Sequence, residues 1–184
     1  SGVRVDWHGL RFYSNAKWRI VPMGVSLYDG LSGIAVFLAQ YQVCFRDKRA
    51  EAMFQKLKEQ LFQHTDQLLQ SKSRSDQKTG VLDGEGSLVK AYLMLYQITG
   101  KQEYRWYAER QFQYIEWVWE KTPYLDYMNG NAGAIVLAAE LYRLVQSSKY
   151  LELSAQIEAK LWTQVRKMEA GAGFSDEGEM PLAG

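Results

Sequence analysis

Three times in this chain a polar, glycine-rich turn runs straight into an apolar stretch that closes on a tyrosine. The first copy is SLYDGLSGIAVFLAQY, from Ser26 to Tyr41. The second is GVLDGEGSLVKAYLMLY, from Gly80 to Tyr96, and the third is LDYMNGNAGAIVLAAELY, from Leu125 to Tyr142. With Gly30, Gly84 and Gly130 taken as equivalent, the copies lie 54 and 46 residues apart, a period typical of repeat architectures. Glycine supplies the positive φ or the close backbone approach that a tight helix entrance needs. Asp29, Asp83, Asn129 and Asn131 are placed to cap the free N–H groups of the helix that follows. The runs Ile34 to Leu38 and Ala132 to Leu137 carry no charged face, so these helices are expected to be buried between other elements. They read as inner helices.

Between the copies lie stretches of a different kind. Residues 48–71 place Ala50, Phe54, Leu57, Leu61, His64 and Leu68 at steps of three and four against Lys48, Arg49, Glu51, Lys56, Lys58 and Glu59, which predicts an amphipathic outer helix after an inner one at 31–45. The same alternation predicts an inner helix at 86–99, stopped by Gly100, and an outer one at 102–121 with Tyr104, Tyr107, Ala108, Phe112, Ile115 and Trp119 on one side. Pro123 ends it, because proline disfavours helical geometry in the residue before. A third inner helix is predicted at 132–147, and a third outer one at 150–168, with Leu153, Ile157, Leu161 and Val165 spaced by fours. The fold class is therefore all-α. Short connections and alternating helix types suit an α/α toroid, here about three inner/outer pairs of an incomplete ring, better than a four-helix bundle. The repeats are bounded at about 26–71, 80–121 and 125–170, residues 1–25 form a lead-in arm, and the toroid spans 26–184. In such a ring the glycine turns collect at one end of the inner helices.

Composition narrows the function classes. The 184 residues are 47% hydrophobic, enough for a substantial core. The 22 Lys and Arg are scattered and balanced by 21 Asp and Glu, which gives nucleic acid no support as a partner. No apolar run approaches the roughly 18 to 20 residues of a membrane span, and no charged-then-apolar leader opens the chain, so the reading is a chain that is not transmembrane. Cys44 is the single cysteine, which excludes an internal disulfide framework. Trp7, His8, Phe12, Tyr13, Trp18 and Pro22 show no clear period and are expected to pack as an irregular arm over the first helix. The polar loop Ser71 to Thr79 reads as a solvated connection.

The phrase Leu27-Tyr28-Asp29-Gly30-Leu31-Ser32-Gly33-Ile34-Ala35, preceded by Trp18 and Pro22, together with Asp126-x-x-x-Gly130-Asn131-Ala132-Gly133-Ala134, resembles the lanthionine synthetase C-like cyclase family. The likeness covers essentially the whole chain and is closest to the C-terminal cyclase domain of bifunctional bacterial class II lanthipeptide synthetases. It implies an α/α toroid holding one zinc, which activates a peptide cysteine thiol for addition to dehydroalanine or dehydrobutyrine. Zinc would stabilise the thiolate, and a general acid or base would handle the proton at the enolate carbon. Asp126 falls at the family's aspartate beside the zinc site, assigned to proton transfer or to positioning a histidine. The implied partner is a precursor lanthipeptide, and the implied compartment is the bacterial cytoplasm. The family's two cysteine ligands, its histidine ligand and its Ala-His-Gly motif have no counterpart here. Zinc is thus expected in the full-length domain, with ligands beyond Gly184 and none in this chain. The tail Ala170 to Gly184 reads as the run-up to a further repeat, and the chain alone is expected to bind no catalytic zinc and to cyclise nothing.

Read without the family, the residues leave other routes open. Cys44 with His8 or His64 has no metal-ligand spacing, and Cys44 at the end of an apolar helix reads as a small core hydrophobe. Asp126 reads as a turn or capping residue, as do Asp29 and Asp83. Tyr41, Tyr96 and Tyr142 read as packing anchors, and Trp117 and Trp119 as core and hairpin interface. A carbohydrate-active toroid would need opposed carboxylates, for which Asp29, Asp83, Glu85 and Asp126 are available. A non-enzymatic helical-repeat scaffold would bind a partner through outer-helix aromatics. An open ring edge would expose apolar inner-helix surface and invite a dimer.

Overall fold

The apolar runs and the amphipathic stretches alternate in space as they do in sequence. In the computed structural model, which describes residues 7–13, 17–72, 77–168 and 171–174, α1 (Leu31–Phe45) pairs with α2 (Lys48–Ser71), α3 (Ser87–Thr99) with α4 (Gln102–Val118), and α5 (Asn131–Val145) with α6 (Ser148–Thr163). Expected segments within 1–6, 14–16 and 73–76, and the tail beyond Phe174, lie outside the described residues.

One turn design joins every pair. The residue after each inner helix is left-handed, with φ of 50° at Arg46, 69° at Gly100 and 58° at Gln146. Its N–H donates to the carbonyl four residues back, on Gln42, Tyr96 and Tyr142, which closes the helix and turns the chain. One extended residue, Asp47, Lys101 or Ser147, then opens the outer helix.

Helix α3 sits at the centre, against α1 and α4, and α2 packs on α4. It buries Ser87, Leu88, Val89, Ala91, Tyr92, Leu93 and Leu95, as an inner helix should. The core joins Leu57 and Leu61 of α2, Phe112 and Ile115 of α4, and Leu137 and Leu141 of α5. Burial pushes the phenols of Tyr92, Tyr104 and Tyr150 well above the ordinary tyrosine range. The Tyr92 hydroxyl donates to the Leu61 carbonyl at 2.8 Å and meets the Thr65 hydroxyl at the same distance, so this buried polar group is satisfied.

Several expectations change. Helix α1 is not covered all round: Phe37, Val43 and Phe45 are exposed, and Tyr41 sits between the two phenylalanine rings at centroid distances of 6.0 and 4.6 Å. Its packing partners are α2 and α3, and its far face has no neighbouring helix among the described residues. Cys44 shares that exposure and is not a core hydrophobe.

The arm is not irregular. His8–Tyr13 (β1) and Lys17–Pro22 (β2) pair antiparallel, with Leu10 opposite Ile20 and Phe12 opposite Trp18. Alternation along a strand gathers these four side chains on one face of the hairpin. All four are 58–74% exposed instead of covering the first helix, while Trp7 packs against the core and its carbonyl accepts from Met23 N–H at 2.8 Å. Helix α4 ends at Val118 because Lys121 and Thr122 N–H both turn back to the Val118 carbonyl ahead of Pro123. Helix α6 ends at Thr163, not at 168: Arg166–Met168 (β3) pairs with Gly171–Gly173 (β4), where two glycines weaken any helical continuation. No helix among the described residues is long and apolar enough to cross a membrane.

Candidate functional site

The three loops leading into the inner helices meet at one end of the molecule, held together through their backbones. Tyr28 N–H of the first loop donates to Leu82 O of the second at 2.9 Å. Thr79, Val81 and Leu82 N–H of the second donate to Asn129, Tyr127 and Met128 carbonyls of the third at 2.9–3.1 Å. Side chains reinforce this frame. Leu27 N–H donates to the Ser87 hydroxyl at 3.1 Å, and the Thr79 hydroxyl donates to Asn131 Oδ1 at 3.2 Å. Asn131 Nδ2 donates to Trp119 O at 3.0 Å, tying the third loop to the end of α4.

Glycine is what lets the loops approach. Gly30, Gly86 and Gly130 occupy the three N-cap positions. A Cβ on Gly130 would lie 2.2 Å from Tyr124 O, and one on Gly133 would lie 2.3 Å from Tyr127 O and 2.8 Å from the Cα of Gly80 in the neighbouring loop. The second loop departs from the expected equivalence, since Gly86, not Gly84, matches Gly30 and Gly130. A Cβ on Gly30 or Gly130 would meet the carbonyl oxygen six residues back, of Gly24 or Tyr124, whereas one on Gly86 would meet the carbonyl seven residues back, of Thr79. Gly84 absorbs the extra residue with φ of 71°.

The loop carboxylates do not cap the inner helices, as had been expected of Asp29 and Asp83. Neither Asn129 nor Asn131 does so either, because no inner helix has a side-chain cap hydrogen bond. Loop carbonyls satisfy the first-turn N–H groups instead, among them Leu125 O for Ala132 and Asp126 O for Gly133. The acids work within their own loops: Asp29 pairs with the Ser26 hydroxyl, and Asp83 accepts from Gly84 N–H and from Lys78 Nζ at 2.7 and 2.5 Å. Asp126 Oδ1 accepts from Met128 and Asn129 N–H at 2.7 and 2.8 Å. The Asp126 side chain is exposed, and its Oδ2 has no partner among the described residues. The loop thus holds this exposed carboxylate through one of its two oxygens.

Behind the second loop, Glu85 holds His64 of α2 at 2.8 and 2.9 Å and accepts from Gln111 of α4 at 3.4 Å, while Gln111 Nε2 also donates to Glu85 O at 3.0 Å. This link joins two outer helices to an inner-helix entrance. Its signals in the sequence are two polar residues within apolar stripes, His64 in that of α2 and Gln111 in that of α4. Cys44 ends α1 away from the loops, and the structure does not bring it together with His8 and His64 as a ligand set. Among the described residues no three of His, Cys, Asp and Glu gather as a metal-holding group, so the residues here do not by themselves fit a zinc ion.

The lanthionine synthetase C-like protein family matches residues 21–178, a span that includes all three loops. The chain belongs to the lanthionine synthetase C-like family. Comparison with curated proteins finds no match. In this lanthionine synthetase C-like chain, the matched span starts within β2 and takes in every helix of the fold. The family match supports a cyclase-type domain, and the paired loops of that domain carry Asp126.

Proposed function

We propose that this chain is the first part of a lanthionine synthetase cyclase domain of the kind found at the C-terminus of class II lanthipeptide synthetases. The observation that carries the reading is the family match across three glycine-started inner helices whose loops converge at one end. In the intact enzyme a cysteine thiol of a precursor peptide adds to the β-carbon of dehydroalanine or dehydrobutyrine. The new bond is C–S, and the proton lost from sulfur is balanced by one gained at the α-carbon. Asp126 contributes its outward oxygen at the loop end, either as the proton-transfer group or as the acceptor that positions a histidine. Zinc belongs to side chains beyond Gly184, and no step through it is assigned to residues of this chain. The helix pairs form part of an α/α toroid. The uncovered Phe37–Tyr41–Phe45 edge of α1 is where the ring continues, or where two copies of the isolated chain pair. The enzyme works in the bacterial cytoplasm.

The test is metal analysis of the protein extended to the natural end of its gene, with the 184-residue chain as the paired control. The expected result is one zinc per extended chain, none in the control, and thioether formation by the extended chain alone. Absence of zinc from both would remove the cyclase reading. Stoichiometric zinc with turnover in the 184-residue chain would overturn the assignment of the ligands.

A further inference from the structure

The β1–β2 hairpin lies almost wholly before the family-matched span, and its charge is one-sided. Residues 7–28 hold Arg11, Lys17 and Arg19 and neither Asp nor Glu. The register sorts the hairpin by face: Leu10, Phe12, Trp18 and Ile20 on one, and on the other Arg11 directly opposite Arg19, with Lys17 beside them. All of these side chains are exposed. A two-stranded sheet is marginal in water without a third strand or a helix across its apolar face, and like charges directly opposite one another destabilise a strand pair. Among the described residues no third strand joins this sheet.

Its two edges differ. Met23 N–H donates to the Trp7 carbonyl at 2.8 Å, one step beyond the pair His8–Pro22. Hydrogen-bonded and non-bonded pairs alternate along an antiparallel ladder, so His8–Pro22, Leu10–Ile20 and Phe12–Trp18 are the pairs whose backbone groups turn outward. On β2 the outward set is broken at Pro22, which has no N–H to offer. On β1 it is unbroken, with N–H and C=O of the exposed residues His8, Leu10 and Phe12 at every second position.

We infer that the outer edge of β1 binds an extended peptide segment of alternating acidic and apolar residues, which pairs there as a third strand. A strand added to an edge presents its side chains to the two faces in turn. The apolar residues of the segment lie beside Leu10 and Phe12 and extend their cluster with Trp18 and Ile20. The acidic residues lie beside Arg11, with Arg19 one strand further on, and replace repulsion by attraction on that face. Main-chain bonds hold such a segment, and its alternate side chains select it. A bilayer taking the apolar face would leave Arg11 and Arg19 on the far side of the sheet, and a second copy pairing β1 with β1 would bring another arginine to the basic strand. The inference stands apart from the cyclase reading, because it is read as binding, without zinc or turnover.

The test is fluorescence anisotropy with the 184-residue chain and dye-labelled Gly-Ser-Glu-Ile-Glu-Val-Glu-Ile-Ser-Gly. Saturable binding is expected, and Lys in place of the three Glu is expected to weaken it roughly tenfold or more. Every second N–H of a strand faces its partner, so N-methylation of one alternate set, the three Glu or the Ile-Val-Ile set, is expected to abolish binding and of the other to leave it. Arg11→Gln is expected to weaken binding up to about fivefold, the upper range for one opposite-charge cross-strand pair, and Arg19→Gln less. Both arginines are exposed, so neither variant threatens the fold. No saturable binding, equal binding of the Glu and Lys peptides, equal loss from both methylated sets, or a larger effect at Arg19 than at Arg11 would overturn the proposal. Retention of the chain by phosphatidylglycerol vesicles, lost on Phe12→Ser and unaffected by the peptide, would give the face to a bilayer and overturn it as well. So would a dimer lost on the same substitution and unaffected by the peptide.

Discussion

Each helical pair has two ends, and they are built on opposite terms. At the loop end, three backbones lie against one another, and glycine is needed because a side-chain carbon has no room: added at Gly130 or Gly133 it would sit 2.2–2.3 Å from a carbonyl oxygen. At the turn end, the chain needs only a left-handed residue, and Gly100 there has nothing within 4 Å of its missing Cβ. Arg46 and Gln146 take the same position with long side chains. The glycine at one end answers a packing constraint, and the glycine at the other answers a torsional one.

Gly133→Ala tests this most sharply. Within a helix, alanine is favoured over glycine by about 1 kcal/mol. Here the added carbon meets backbone, so the variant is expected to lose about 3 kcal/mol or more. A urea midpoint that rises instead would break the packing half of the comparison.

Asp47→Ala comes next. Asp47 Oδ1 accepts from Arg49 and Ala50 N–H at 2.7 and 3.3 Å, so α2 starts on a side-chain cap while the inner helices start on carbonyls. The loss is expected at about 1 kcal/mol by urea denaturation with an unchanged m-value.

The smallest effect belongs to Gln146→Gly. Relief of the left-handed penalty on a side-chain-bearing residue is expected to raise stability by roughly 0.5 to 1 kcal/mol. A fall would mean that the turn is held by the Gln146 amide, which donates to Arg143 O at 3.0 Å, and not by its torsion.

The helices were readable where one periodicity rules. Residues 31–45 and 48–71 were expected as helices, and α1 and α2 occupy those spans. The convergence of the glycine turns at one end was readable for the same reason, since repeated pairs must stack in parallel. The β1–β2 hairpin was missed because its alternation is short, with Leu10 and Phe12 on one strand and Trp18 and Ile20 on the other, and glycine and charge between them. Gly84 took the place of Gly86 because a two-letter likeness does not count residues, and one extra residue shifts the cap. Asp126 was legible as a turn-former from its position before Gly130. The role proposed for it toward a substrate rests on the family likeness alone, because the hydrogen bonds it makes would serve a structural residue equally well. The Glu85–His64–Gln111 link joins a loop to two helices far apart in the chain, and no local pattern encodes a contact of that range.

The loop frame has a consequence for how this end of the molecule can change over generations. Its joints are main-chain hydrogen bonds, which any sequence with the right glycines can make, while Tyr28, Tyr127 and Met128 point outward, at 72%, 46% and 41% exposed. Substitution at those three positions alters the surface without touching the joints. The architecture can therefore drift in what it recognises while its scaffold is inherited intact.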